Sequence, residues 1–137
     1  MLESQGLAAA VAAHARRLPI PVQVDACELR FARPVETAIY FCCVEALQNS
    51  AKHSCALRAW ITIGVADGRL HFEVGDNGIG FDPSAARMGS GLQNIRDRID
   101  AMDGTVDVRS AVGGTCIRGH VPLGRTKQRA DARRRDY

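Results

Sequence analysis

The stretch from Pro34 to His53 constrains this chain more than any other. Val35, Ile39, Cys42, Cys43, Ala46, Leu47 and Ser50 fall along one broad helical face, and Pro34 sits near the start, where a missing N–H costs nothing. A long helix with one apolar face needs a flat partner, and the residues after His53 have strand periodicity. Leu57 to Ala66 and Arg69 to Gly75 are two β-type runs joined by Ala66-Asp67-Gly68, a tight-turn signal, which predicts an antiparallel hairpin. Thr105 to Ser110 and Thr115 to Leu123, separated by Ala-Val-Gly-Gly, predict a second. Between them, residues 76 to 91 are glycine-rich and read as loop, and Leu92, Ile95, Ile99 and Met102 return to helical spacing before Asp103-Gly104.

Upstream, Gly6 to Arg17 is Ala-rich, with Leu7, Val11 and Leu18 at helical spacing and Pro19 closing it. Ile20 to Ala26 alternates and suits an edge strand, since Pro21 cannot donate to a central ladder. The order helix, strand, long helix, hairpin, glycine loop, helix, hairpin predicts an α+β two-layer sandwich. About three helices would cover one face of a mixed, largely antiparallel sheet of about five strands. Residues 1–33 are read as a lead-in helix and edge strand belonging to the domain, 34–124 as its core and 125–137 as a disordered tail.

At 137 residues, with 46% hydrophobic and 24% charged residues, the chain suits one ordinary globular domain and is neither disordered nor disulfide-stapled in character. The apolar run from Ala38 to Val44 is too short to span a bilayer, so no membrane contact is expected of this segment. Cys27, Cys42, Cys43, Cys55 and Cys116 lack metal-ligand spacing, which points to reduced thiols and a cytoplasmic location. The tail holds six of the eighteen Lys and Arg against two acids, yet its one aromatic is its last residue. A solvated terminus is favoured over direct nucleic-acid binding.

Four short features carry chemistry. In Glu45-Ala-Leu-Gln-Asn49-Ser-Ala-Lys52-His53, Glu45 and Asn49 share a helix face and Lys52 lies within a turn of Asn49. A carboxylate, an amide oxygen and an ammonium so placed could hold hydrated magnesium and phosphate oxygens, although such spacing also marks a solvated face. Asp76-Asn77-Gly78-Ile79-Gly80 ends a strand; its carboxylate could accept from an exocyclic amine, or the segment is a plain turn. Gly89-Ser90-Gly91-Leu92 precedes a helix whose free N–H groups suit phosphate. Gly113-Gly114-Thr115-Cys116 leads into the last strand, where the Thr hydroxyl could line a pocket.

In this order and spacing the four features resemble the histidine kinase branch of the gyrase, heat-shock chaperone, histidine kinase and mismatch-repair ATPase superfamily, the GHKL or Bergerat fold. The resemblance covers roughly residues 34 to 123. Glu45 to His53 looks like the N-box, Asp76 to Gly80 the G1 box, Gly89 to Leu92 the G2 box, and Gly113 to Thr115 the final Gly-Thr element. Lys52-His53 and the short lid are similar to sensor kinases with HisKA type 3 dimerisation helices and regulators of the nitrate-response class.

The resemblance implies ATP and Mg2+ as cofactors, with Asn49 as the magnesium ligand and Lys52 and His53 near the phosphates. Asp76 would hold the adenine amine, Gly78 and Gly80 would let the lid backbone pass close to the nucleotide, Gly89 and Gly91 would serve as hinge and phosphate contact beside Leu92, and Thr115 would complete the adenine pocket. Glu45 matches the position that activates water in hydrolysing branches; here the acceptor histidine belongs to a dimerisation domain, which then passes the phosphoryl group to a response regulator. None of His14, His53, His71 or His120 fits an acceptor, since none combines a long helix with a following acid. A fragment or split kinase, without self-phosphorylation, is therefore expected. The rival readings are an anti-sigma-factor serine kinase and a non-catalytic ATP or ADP-binding module.

Overall fold

The computed structural model describes residues 2–53, 56–78, 89–111 and 113–124, with the backbone alone at 2–4, 51–53, 89–90 and 111. Three helices, α1 (Leu2–Ala15), α2 (Arg33–His53) and α3 (Gly89–Ala101), accompany five strands, β1 (Val22–Ala26), β2 (Ala59–Ala66), β3 (Arg69–Asp76), β4 (Thr105–Ala111) and β5 (Gly114–Pro122). The strands form one sheet in the order β1-β2-β3-β5-β4. Only β1 runs parallel to its neighbour; the other three pairings are antiparallel, so the sheet is mixed as expected.

β1 is an edge, and Pro21 just before it joins the sheet through its carbonyl, which accepts from Ala59 N at 3.0 Å. The β2–β3 hairpin turns on Asp67 and Gly68, both at positive φ (55° and 73°), the conformation that matches strand twist in a two-residue loop. The tail, residues 125–137, lies outside the described residues, as does Cys55.

Alternation decides which sheet face is covered. Ile61, Ile63, Leu70, Phe72, Val74, Ile117 and Val121 meet Leu7, Val11, Ile39, Cys42, Cys43, Leu47, Leu92, Ile95 and Ile99 in one core. The helices α1 and α3 flank α2, which packs on the centre of the sheet. Burial pushes the Cys42 thiol up to about 12 and raises Cys43 too, so both are neutral space-fillers, in keeping with their place on the apolar face of α2.

Among the described residues no helix packs on the opposite sheet face, which carries polar rows. Trp60 Nε1 donates to Glu73 at 3.0 Å, and Arg118 Nε reaches the other Glu73 oxygen at 3.1 Å. The Trp60 donor, joined by Arg118 and opposed by burial, keeps the Glu73 carboxyl below its usual range. Gly75 is required beneath this indole: a Cβ there would lie 2.3 Å from Trp60 Cζ2.

The entry to α2 is fixed by its own first turn. The buried Glu36 carboxylate accepts from Phe31 N at 3.0 Å and from Arg30 Nε at 3.0 Å, placing an anion at the positive end of the helix. At the far end of α3 the left-handed residue is Asp103 (φ 61°), while Gly104 is needed for a different reason. Its N–H caps Ile99 O at 2.9 Å, and a Cβ there would lie 2.3 Å from His120 O. Asp103-Gly104 does end the helix, with the two residues dividing the work.

Candidate functional site

The C-terminal half of α2, the end of β3, the start of β5 and the first turn of α3 meet at one end of the sandwich. Asp76 closes β3 with its carboxylate on the helix-facing side, 4% exposed. A carboxylate that deep needs donors. Ser50 Oγ lies 2.6 Å from Asp76 Oδ2 and 3.2 Å from Ala46 O; its single proton goes to the shorter, charge-assisted bond. Oδ1 accepts from Gly78 N at 2.9 Å, an Asx-type turn that bends the chain as it leaves the strand. A carboxylate has about four lone-pair sites. These two bonds therefore leave acceptor capacity on Asp76.

Thr115 lies across the sheet from Asp76 in register, is itself buried, and shares a 2.8 Å hydroxyl contact with Ser110. Gly114 precedes it at φ 151°, so close to β3 that a Cβ would stand 2.1 Å from Asp76 O. The glycine thus lets the two strand ends approach, fixing the distance between the Thr115 and Asp76 backbones.

On the other side, Glu45 and Asn49 project from α2 toward α3. A Cβ on Gly91 would come within 3.0 Å of Glu45 Oε1 and 3.4 to 3.5 Å of both terminal atoms of the Asn49 amide. The absent side chain at 91 is what lets oxygen donors of α2 sit against the start of α3. Packing holds this geometry: Leu92, Ile95 and Ile99 are buried against α2, and the Arg98 guanidinium lies 4.3 Å over the Phe41 ring.

The sequence places Gly89 and Gly91 ahead of the helix; the structure puts both inside its first turn, α3 beginning at Gly89. The first N–H groups of a helix have no intrahelical partners, so this position still suits an anion. Lys52 and His53 belong to the last turn of α2 by backbone, and Gly80 lies outside the described residues. Glu45, Asn49, Asp76, Gly78, Gly91, Leu92 and Thr115 are gathered at this end of the molecule, contributed by α2, β3 and its exit turn, α3 and β5.

Two residues here do not stand out in the sequence. Ser50 has the signature of a core-facing position, and only the register of α2 over β3 reveals it as the partner of Asp76. Asn77 uses its side-chain oxygen to accept from both Leu57 N and Arg58 N at 2.9 Å, clamping the approach to β2 against the exit of β3. An Asn directly after a strand-ending Asp is a local hint of such a turn.

Residues 35–125 match the family described as histidine kinase-, DNA gyrase B-, and HSP90-like ATPase. The chain belongs to this ATPase family. Among relatives of the ATPase domain, it is 30% identical over 110 residues to the sensor histidine kinase LiaS of Bacillus subtilis, covering 79% of this chain and 31% of that protein. It is likewise 30% identical over 132 residues to the sensor histidine kinase MctS of Rhizobium johnstonii, covering 89% and 29%. The chain thus spans less than a third of the length of either relative. A blue-light activated histidine kinase of Erythrobacter litoralis shares the ATPase fold with a TM-score of 0.73 at 20% identity, over 87% of this chain and 42% of that one. No helix among the described residues is long and apolar enough to cross a membrane.

Proposed function

We propose that this ATPase-family chain is the catalytic domain of a two-component sensor histidine kinase, of the type with HisKA type 3 dimerisation helices. It binds ATP with magnesium and offers the γ-phosphate to a histidine on a dimerisation domain, from which the phosphoryl group passes to a response regulator. The observation that carries this reading is the buried Asp76 carboxylate, held by Ser50 and Gly78 with acceptor capacity to spare, at the end of a strand in a chain matched to the ATPase family. Two sensor histidine kinases among its relatives favour a histidine over a serine as the acceptor.

In this reading Asp76 accepts from the adenine amine, selecting adenine by a charged hydrogen bond, and Thr115 across the register completes that wall. The first turn of α3, with Gly91 and Leu92, faces the phosphates, and Gly78 and Gly80 let the intervening backbone approach the nucleotide. Lys52 and His53, at the end of α2, lie on the phosphate side. Asn49 and Glu45 suit magnesium in donor type: both offer hard oxygens beside the notch at Gly91, and magnesium takes one or two protein ligands alongside waters and substrate phosphates. The ion, once bound, neutralises phosphate charge.

The acceptor imidazole nitrogen forms a bond to the γ-phosphorus as the bond to the bridging oxygen breaks, ADP leaves with that electron pair, and the imidazole proton goes to a base on the acceptor's own domain. This chain's contribution is position and charge, the two things phosphoryl transfer chiefly requires.

Asn49→Ala is expected to slow phosphotransfer to a supplied dimerisation domain by on the order of a hundredfold, with metal-free nucleotide affinity unchanged. Radiolabel transfer measured across a magnesium titration checks this, and full transfer by the variant would remove Asn49 from the metal site.

A further inference from the structure

The face of the sheet away from the described helices carries a pair of imidazoles that the nucleotide reading does not use. His71 on β3 and His120 on β5 are register partners, and their rings lie 5.4 Å apart between centroids, tilted by 46°. Two neighbouring strands thus present two imidazoles side by side, close enough for one metal ion to be shared between them. The row they occupy is otherwise small: Gly64 stands opposite His71, with open space where its Cβ would be, and Thr105 stands opposite His120. Neither register neighbour of the pair is bulky.

A second observation points to an occupant. His120 Nδ1 is shielded from solvent and has no hydrogen-bond partner among the described residues. A polar nitrogen in that condition is unfavourable unless a water or a cation completes it. We propose that His71 and His120 form a two-imidazole site for a divalent ion of the zinc, nickel or copper class on the helix-free face of the sheet. Neutral imidazole is a borderline donor that suits these ions and discriminates against magnesium and calcium, which prefer oxygen. Two protein ligands leave the remaining coordination positions to water or to a donor from another molecule.

The electrostatics agree with the geometry. Burial, then the positive charge of Arg69, then His71 itself hold His120 below its ordinary value. Protonation of a ligating imidazole removes the one lone pair it offers a metal, so acid should expel the ion. In the next row on this face Glu73 is paired with Arg118, and Asp107, opposite Arg118 on β4, is paired with Arg109; the described helices pack on the other face. The site is also distant from the nucleotide end, five residues along β3 from Asp76.

The test is calorimetric titration of the full chain with Ni2+ and Zn2+ alone, and with Mg2+ as a control, for wild type, His71→Gln and His120→Gln. The proposal expects about one equivalent of Ni2+ and Zn2+ in the wild type. It expects loss of that binding in each variant, and ATP affinity the same in all three. Uptake that survives either substitution would place the metal on cysteines or other histidines and overturn the proposal. Thr105→His, on the exposed edge strand beside His120, provides an independent arm that leaves the original pair intact. A third imidazole should tighten Ni2+ binding, and unchanged affinity there would equally count against the site.

Discussion

Replacing Asp76 with asparagine is expected to weaken ATP binding by about ten- to a hundredfold, the worth of one hydrogen bond to a charged acceptor exchanged for a neutral one. The surroundings dictate how the amide must sit. Gly78 N is a donor, so the amide oxygen has to turn toward it, leaving the NH2 group toward Ser50. Ser50 can adapt, because Ala46 O stands 3.2 Å away to take its proton while its lone pairs receive the amide. The fold should therefore survive with little change in melting temperature. Affinity is lost because the group facing the adenine amine has surrendered its charge. Calorimetry with ATP measures the first quantity and thermal unfolding the second; undiminished affinity in a folded variant would mean that Asp76 does not face the adenine.

Gly114→Ala should damage the protein differently. The new Cβ would stand 2.1 Å from Asp76 O, against backbone that cannot rotate away, and the residue sits at φ 151°, where side chains are strained. Overpacking and strain of this kind together cost about 3 kcal/mol, a large share of a small domain's stability. Gly113→Ala is the internal control: it has positive φ (111°) but open space around its Cβ, so only the backbone contribution remains. Denaturant midpoints of the two variants separate contact from strain. Equal midpoints would show that the close approach of β5 to β3 is not required.

The layers of this fold are legible in the sequence because periodicity survives without tertiary knowledge. The face of α2 from Val35 to Leu47 and the alternation of Leu70, Phe72 and Val74 each announce a buried side, and Asp67-Gly68 announces its turn. Lateral arrangement is not legible in the same way. Nothing local says that β5 inserts between β3 and β4, or that β1 joins β2 in parallel, since those pairings depend on contacts far apart in sequence. The site divides along the same line. Asp76 and Asn49 stand out as polar residues within short motifs, whereas Ser50 is an ordinary helix residue until α2 is laid across β3. The start of α3 differs from expectation for a local reason: glycine usually discourages helix, but burial of Leu92 and Ile95 against α2 outweighs that preference and draws Gly89 and Gly91 into the first turn.

Trp60 is the chain's sole tryptophan, and its indole rests on Gly75, the residue immediately before Asp76, from the other side of the sheet. The strand is only one backbone thick, so a shift of the Asp76 carboxylate should be felt at the ring. The molecule therefore carries its own optical gauge of that strand end. Under the proposed function its emission should follow nucleotide occupancy in the unlabelled protein, with the ring on the sheet face opposite the Asp76 side chain.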